Sequence, residues 1–327
     1  MMMNHSFMSG KVSVVVPAYN VDAYIEECLT SLCMQTYENI EVIVVNDGST
    51  DGTFEKALSV VDDDERFTVL TISNSGVSCA RNIALDAVTG EYVVFVDADD
   101  VVAPDFISTL VSLIKGYGAD CSVVGIAPFV ATAPRFSGGH VTVYEKPDAQ
   151  SVMLEGPKGF LCNKCFLTAI IEEDNIRLRE DIFQSEDMLF LLEYLFKCSR
   201  VVFDDGCRYA YRQSVNSATN SLTNIQWFSV LEVFDAYRQR FSTDVDVLPK
   251  VQKSFLPMAY EAAYRYKYLK MSDAVLESRI QSMMGWCEQC LLDCDIKMKL
   301  KAWIQKHLMG VVFRSRARRI MWALSSA

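Results

Sequence analysis

Three polar clusters have residue types and spacings that chemistry can use. Asp97, Ala98 and Asp99 alternate at what reads as the end of a strand. In an extended segment alternate side chains share a face, so both carboxylates can turn to one ligand. Paired oxygen donors suit a hard divalent cation such as Mg2+ or Mn2+, which keeps water and substrate phosphates in its shell. The competing reading is a polar turn capped by Asp. Asp47 follows a buried run and precedes the turn Gly48–Ser49–Thr50. A carboxylate there can accept the imide hydrogen of a uracil, or close an Asx-turn. Arg81, in the segment Gly76–Asn82, can neutralise a phosphate by a bidentate contact, or serve as a surface helix charge.

These side chains need a scaffold that gathers loops at one edge, and the flanking periodicities describe one. Val12–Val16 is a strongly β-branched run, as a parallel strand buried on both faces should be. Ile25, Cys28, Leu29, Leu32 and Cys33 form a helical apolar stripe. Glu41–Val45, Phe67–Ile72 and Tyr92–Val96 read as further strands. Asp51–Val61 and Ser78–Val88 read as helices, the second closed by Gly90. Strict alternation of strand and helix implies right-handed crossovers and a mostly parallel sheet. Ligands in such sheets bind beyond the carboxyl ends of the strands. Pro17–Ala18–Tyr19–Asn20, Asn46–Asp47–Gly48–Ser49 and Asp97–Ala98–Asp99–Asp100 all fall there.

Further along, Cys121–Ala127 and Val141–Tyr144 read as strands, with Pro128–Gly139 between them as a loop and candidate mobile lid. Ser185 reads as the N-cap of a helix running to about Cys198, with Glu186 and Asp187 in its first turn. Arg208–Arg212 reads as extended. From about Ile225 the pattern is helical, interrupted by turn signals at Pro249 and Pro257, and a boundary falls near Thr223.

The blocks VVVPAYN (Val14–Asn20), VNDGSTD (Val45–Asp51), GVSCARN (Gly76–Asn82) and VFVDADD (Val94–Asp100) resemble, in order and spacing, the signature blocks of family 2 glycosyltransferases with the GT-A fold. The resemblance covers roughly residues 11 to 220. It implies an α/β fold: a Rossmann-like, mostly parallel sheet flanked by helices, with a helical C-terminal extension. The corresponding domains are a disordered segment over 1–10, a transferase domain over 11–223 and a helical region over 224–327. The resemblance further implies that Pro17, Tyr19, Asn20 and Asp47 line the nucleoside pocket, with Asp47 reading the base. Arg81 would lie near the diphosphate, Asp97 near the ribose or metal, and Asp99 would ligate the metal, Mn2+ or Mg2+. Ser185–Glu186–Asp187 resembles the family's Glu–Asp pair, whose Asp is the catalytic base. The implied reaction is inverting transfer from a nucleotide-sugar, UDP-linked, to an acceptor hydroxyl on a glycan or lipid-linked glycan, in cell-surface polysaccharide or glycoconjugate synthesis.

Two positions depart from the family pattern. Cys162 stands where an aromatic often precedes Asn163–Lys164, so a sugar-stacking platform is lost or supplied elsewhere. Tyr211–Arg212–Gln213–Ser214 lacks the His of the family's Tyr–Arg–x–His. These departures keep a second reading open, a nucleotide-sugar-binding subunit without catalysis. A sugar nucleotidyltransferase would carry a Gly-rich phosphate loop where Pro17–Asn20 stands.

A net charge of −11 argues against a general nucleic-acid binder. From Ile296 onward there are eight Lys or Arg and no acid, leaving 23 basic and 42 acidic residues elsewhere. The tail Gly310–Leu324 can form a basic, aromatic-edged helix that lies on an anionic membrane surface or packs on the domain. No run of about 18 apolar residues occurs. Eleven scattered cysteines suit free thiols in a reducing cytoplasm. Cys287, Cys290 and Cys294 share a helical face, and packing explains them better than a metal site, which needs about four ligands.

Overall fold

A computed structural model describes residues 7–146, 159–213 and 224–292, together with 299, 302 and 306. Two compact units divide the chain. The first comprises Met1–Gln150, Gly156–Glu180 and Phe190–Arg212; the second comprises Ser151–Glu155, Asp181–Leu189 and Gln213–Ala327. The boundary read near Thr223, the altered Ser214 and the basic tail Gly310–Leu324 lie outside the described residues.

The first unit alternates β1 (Met8–Ala18), α1 (Ile25–Cys33), β2 (Ile40–Asp47), α2 (Thr53–Val61), β3 (Phe67–Ile72), α3 (Val77–Ala87) and β4 (Gly90–Phe95). Next come β5 (Val101–Val102), α4 (Phe106–Tyr117), β6 (Cys121–Phe129), β7 (Val141–Glu145), β8 (Lys164–Leu167) and β9 (Arg200–Arg212). The sheet order is β3-β2-β1-β4-β8-β6-β9-β5, with β7 also on β9. Strands β1 to β4 run parallel, with Val14 registered on Val42 and on Val94. β8 is antiparallel to both β4 and β6, and β9 is parallel to β6. The carboxyl ends of β1, β2, β3, β4, β6 and β9 therefore share one rim.

The core follows from the pattern. Val12, Val14, Val15 and Val16 are all buried, as helices on both faces of the sheet require. Each such valine contributes roughly 1.5–3 kcal/mol. Ile25, Cys28, Leu29 and Leu32 of α1 face the same cluster. β1 begins at Met8 rather than after Gly10, because Met8 donates its N–H to Thr89 O and pairs with Gly90. Gly90 does not cap α3; Val88 does, in an extended conformation. Gly90 instead starts β4, where a Cβ would stand 2.7 Å from Lys11 O. Pro128 and Phe129, read as the start of a loop, end β6, and within that loop Ser137 N donates to Cys207 O.

The second unit holds the helices Val230–Phe241, Leu248–Tyr268 and Ala274–Glu288. Pro249 sits in a first turn, where a missing N–H costs nothing. Pro257 lies inside its helix, among buried Phe255, Leu256, Ala259 and Tyr260. Here packing overrides a local turn signal. Arg265 is fully buried, pairs with Glu261 at 2.7 Å and stands 4.6 Å from the Trp227 ring centroid. Asp273 Oδ1 accepts from Val275 N and Leu276 N and caps the last of these helices. Among the described residues no helix is long and apolar enough to cross a membrane.

Glu41 fastens the amino-end rim of the sheet. It accepts from Lys11 Nζ at 2.7 Å, from Ser13 Oγ, and from Thr89 N and Oγ1. Burial alone would push its carboxyl up; these hydrogen bonds outweigh burial and hold it below the usual range. A carboxyl depressed in the folded state stabilises above its unfolded pKa and loses that contribution as pH falls through the folded value. Glu41→Gln should therefore cost about 1 kcal/mol at neutral pH. Urea titrations should show the gap to the unaltered chain closing below about pH 4; a constant gap would contradict this.

Candidate functional site

The loops after β1, β2 and β3 are stitched to one another. Asn20 takes a left-handed φ of 49°. Its Oδ1 accepts from Thr50 N at 2.8 Å, and its own N–H donates to Ser49 Oγ. Val21 N donates to Thr53 Oγ1, and Asp22 N to Asp51 Oδ2. Asn46, not Asp47, closes the turn locally: its Oδ1 accepts from Ser49 N, three residues on. Asp47 reaches across instead, accepting from Ser75 N at 2.7 Å and Gly76 N at 2.9 Å. Gly48 makes this reach feasible: its φ is +66°, and a Cβ there would stand 2.6 Å from Asn74 N. Asp47 is thus buried and supports the entry to α3, while Tyr19, next to Asn20 in the chain, is exposed. Pro17, last but one in β1, is in register with Val45.

The acids after β4 form the second half of the rim. Asp97 Oδ1 accepts from Arg81 at 2.9 Å, and Arg81 is itself buried rather than a surface charge. Its neighbour Asn82 clamps another segment, donating to Leu178 O and accepting from Leu178 N. Asp100 is 0 % exposed. Its Oδ2 accepts from Tyr209 Oη and its Oδ1 from Arg212 N, both at 2.7 Å. Tyr209 Oη also accepts from Asp97 N. Arg212 Nε donates to Asp99 O at 2.7 Å, and its guanidinium pairs with Glu27. That guanidinium lies 4.3 Å from the Phe129 ring centroid and 4.7 Å from that of Tyr24, a cation held between two π faces.

The crowding of acids shows in their proton affinities. Burial, and then the Asp97 charge, push the Asp99 carboxyl up to about 6. Burial, and then the charges of Asp97 and Asp99, push Asp100 up to about 9. Burial likewise raises the Cys162 thiol, with Asp97 and Asp100 adding to it. Donor atoms of Asp97, Asp100 and Cys162 all lie within 4.8 Å of one another, the single such grouping among the described residues. Both Asp100 oxygens are already engaged, by Tyr209 Oη and Arg212 N, and burial raises the Cys162 thiol. Asp99 stands outside this grouping; its carboxyl and that of Asp97 are oxygen donors of the type a hard cation takes, so the donor chemistry fits one.

Asp187 belongs to the second unit. It stands in the first turn of the helix Glu186–Leu195, three residues shorter than the sequence reading, and Ser185 precedes it with a φ of 65°. Its Oδ1 accepts from Met188 N, and Met188 O accepts from Tyr237 Oη. Pro17, Tyr19, Asn20, Asp47, Arg81, Asp97 and Asp99 all belong to the first unit, where Arg81 bonds Asp97. Sequence reasoning missed Asp100, Tyr209 and Arg212 as the group that holds the acid loop. The available signal was the Tyr–Arg pair at the end of an alternating strand.

Residues 13–167 match the family model described as Glycosyl transferase family 2. The chain is 32% identical over 252 residues to "Glycosyltransferase GlyA" of Streptococcus pneumoniae serotype 4, a match that takes in 72% of this chain and 35% of that protein. The chain thus spans about a third of that relative's length. Its fold is similar to S. aureus TarS 1-349 in complex with UDP-GlcNAc, with a TM-score of 0.61, 20% identity, and 86% and 90% of the two chains covered. It is also similar to the mannosyltransferase PcManGT from Pyrobaculum calidifontis in complex with GDP-Man and Mn2+, with a TM-score of 0.54, 18% identity, and 96% and 84% covered. Four signature blocks on adjoining loops, a family model over the same residues and the shared sheet agree: through residues 13–167 this chain belongs to glycosyltransferase family 2 and has the GT-A fold.

Proposed function

We propose that this chain moves a sugar from a UDP-sugar to an acceptor hydroxyl, with inversion at the anomeric carbon and with Mn2+ or Mg2+ bound. The observation that carries this reading is the crowd of carboxyls at the rim, with Asp99 raised to about 6 beside Asp97. Such a crowd stores repulsion that a divalent cation relieves. The UDP-GlcNAc bound in the one similar structure, and the GDP-Man and Mn2+ bound in the other, support the same reading.

Pro17, Tyr19, Asn20 and Asp47 line the nucleoside pocket, Asp47 accepting from the base while its backbone partners hold it still. Arg81 faces the diphosphate, Asp97 the ribose or metal, and Asp99 ligates the metal. A bound cation supplies charge stabilisation for the departing nucleotide. Asp187, in the first turn of its helix, where the dipole favours negative charge, takes the proton of the acceptor hydroxyl. That oxygen bonds to the anomeric carbon as the bond to the diphosphate breaks. The acceptor is a glycan or lipid-linked glycan in cell-surface polysaccharide or glycoconjugate synthesis. The basic segment from Ile296 onward suits an anionic membrane surface, which would place the enzyme at the inner face of the cell membrane.

Calorimetry with UDP should show binding that needs Mn2+. Asp99→Asn should weaken it at least about tenfold, by removing an anionic ligand. Asp100→Asn should lower folding stability, because its amide N–H would face a donor that the carboxyl now accepts from, Tyr209 Oη or Arg212 N. Unchanged Mn2+-dependent UDP binding by Asp99→Asn would contradict the ligand assignment. Asp187→Asn should keep UDP-sugar affinity and lose transfer by about 100-fold to 10,000-fold. Unchanged transfer would turn the reading toward a binding subunit.

A further inference from the structure

Phe160 is 40 % exposed, and its ring lies against that of Tyr211 with centroids 5.9 Å apart and 18° between planes. A single exposed aromatic is ordinary, but this one is held by buried parts. The Phe160 carbonyl accepts from Lys164 Nζ, and Lys164 is 0 % exposed. Lys164 Nζ also donates to Asn163 Oδ1 at 2.8 Å, and Asn163 Nδ2 donates to Val124 O at 2.6 Å. A buried ammonium is costly unless hydrogen-bonded, and here it is spent on fixing the backbone of one exposed phenylalanine to the sheet.

Tyr211 ties this ring to the rim of the site. It lies two residues beyond Tyr209 on β9, hence on the same face, and Tyr209 bonds Asp100. The carboxyl end of β9 shares the rim from which Asp97 and Asp99 project. The charges of Asp100, Asp97 and Asp99, after burial, bear on the Tyr211 phenol. Position 162, where an aromatic would face this rim, holds a buried cysteine wedged beside Asp97 and Asp100.

We propose that Phe160, backed by Tyr211, is the stacking platform for a pyranose ring at this site. Tyr211 covers one face of the phenyl ring, and the residue remains open enough to receive a ligand. The electron-rich face of an aromatic ring attracts the weakly positive C–H face of a sugar. A pyranose with several C–H bonds on one side therefore gains most. This inference rests on the glycosyl-transfer reading.

The test compares Phe160→Ala, Phe160→Leu and Phe160→Trp with the unaltered full chain. The probes are UDP, UDP-glucose, UDP-galactose and UDP-GlcNAc, each with Mn2+, together with a panel of simple glycosides as acceptors. Phe160→Ala and Phe160→Leu should bind UDP like the unaltered chain, and Phe160→Trp should restore what they lose. The expected loss is about threefold to tenfold. A loss in UDP-sugar affinity places the platform under the donor sugar; a rise in glycoside KM alone places it under the acceptor. Full retention of every property by Phe160→Leu, or a loss of UDP affinity in Phe160→Ala, would overturn the platform and leave the transferase reading standing. If the unaltered chain does not bind UDP, both fall together.

Discussion

Asp100 is sealed from water, so only protein can answer its two oxygens. Tyr209 Oη and Arg212 N do so, both from the end of β9. The same two residues hold the rest of the loop, Tyr209 through Asp97 N and Arg212 through Asp99 O. A buried carboxyl stripped of a partner costs about 1–3 kcal/mol or more, so the loop cannot drift without paying heavily. Arg212 is itself fixed on three sides, by Glu27, Tyr24 and Phe129. The outcome is a pair of carboxylates, Asp97 and Asp99, placed by partners that are not themselves reactive.

The other half of the rim depends on a similar economy. Asp47 spends its carboxylate on Ser75 N and Gly76 N, which sets the start of α3. From that start Arg81 reaches Asp97, and Asn82 grips Leu178. One short helix thereby links the loop expected to hold a base, the acid loop and the irregular segment Arg177–Glu180. Substitution at Asp47 would be felt at Asp97 through this route as well as at any bound base.

Much of this was legible in the sequence, and what was not has a common cause. The β-branched runs and the stripe on α1 need only local periodicity, and they fell where expected. Asp97, Asp99, Asp47 and Arg81 stood out because their blocks are short and ordered. The partners of Asp100 stand 109 and 112 residues away, a distance no local pattern reveals. β8 was missed because a lysine opens four residues of strand, buried there with bonds to Phe160 O and Asn163 Oδ1 that lie beyond a local pattern. Gly90 was misread as a helix stop because its requirement is close approach to β1, not a positive φ. Pro257 misled because burial on its helix outweighs one missing hydrogen bond.

The central claim is that Asp97 and Asp99, held by Asp100, Tyr209 and Arg212, form the metal end of a nucleotide-sugar site. Crystals of the full chain grown with Mn2+ and UDP, with anomalous diffraction recorded at the manganese edge, test it most directly. A single anomalous peak within coordinating distance of an Asp99 oxygen and a UDP phosphate is the predicted result. UDP bound at the rim with the manganese peak elsewhere, or with no peak at all, would contradict it.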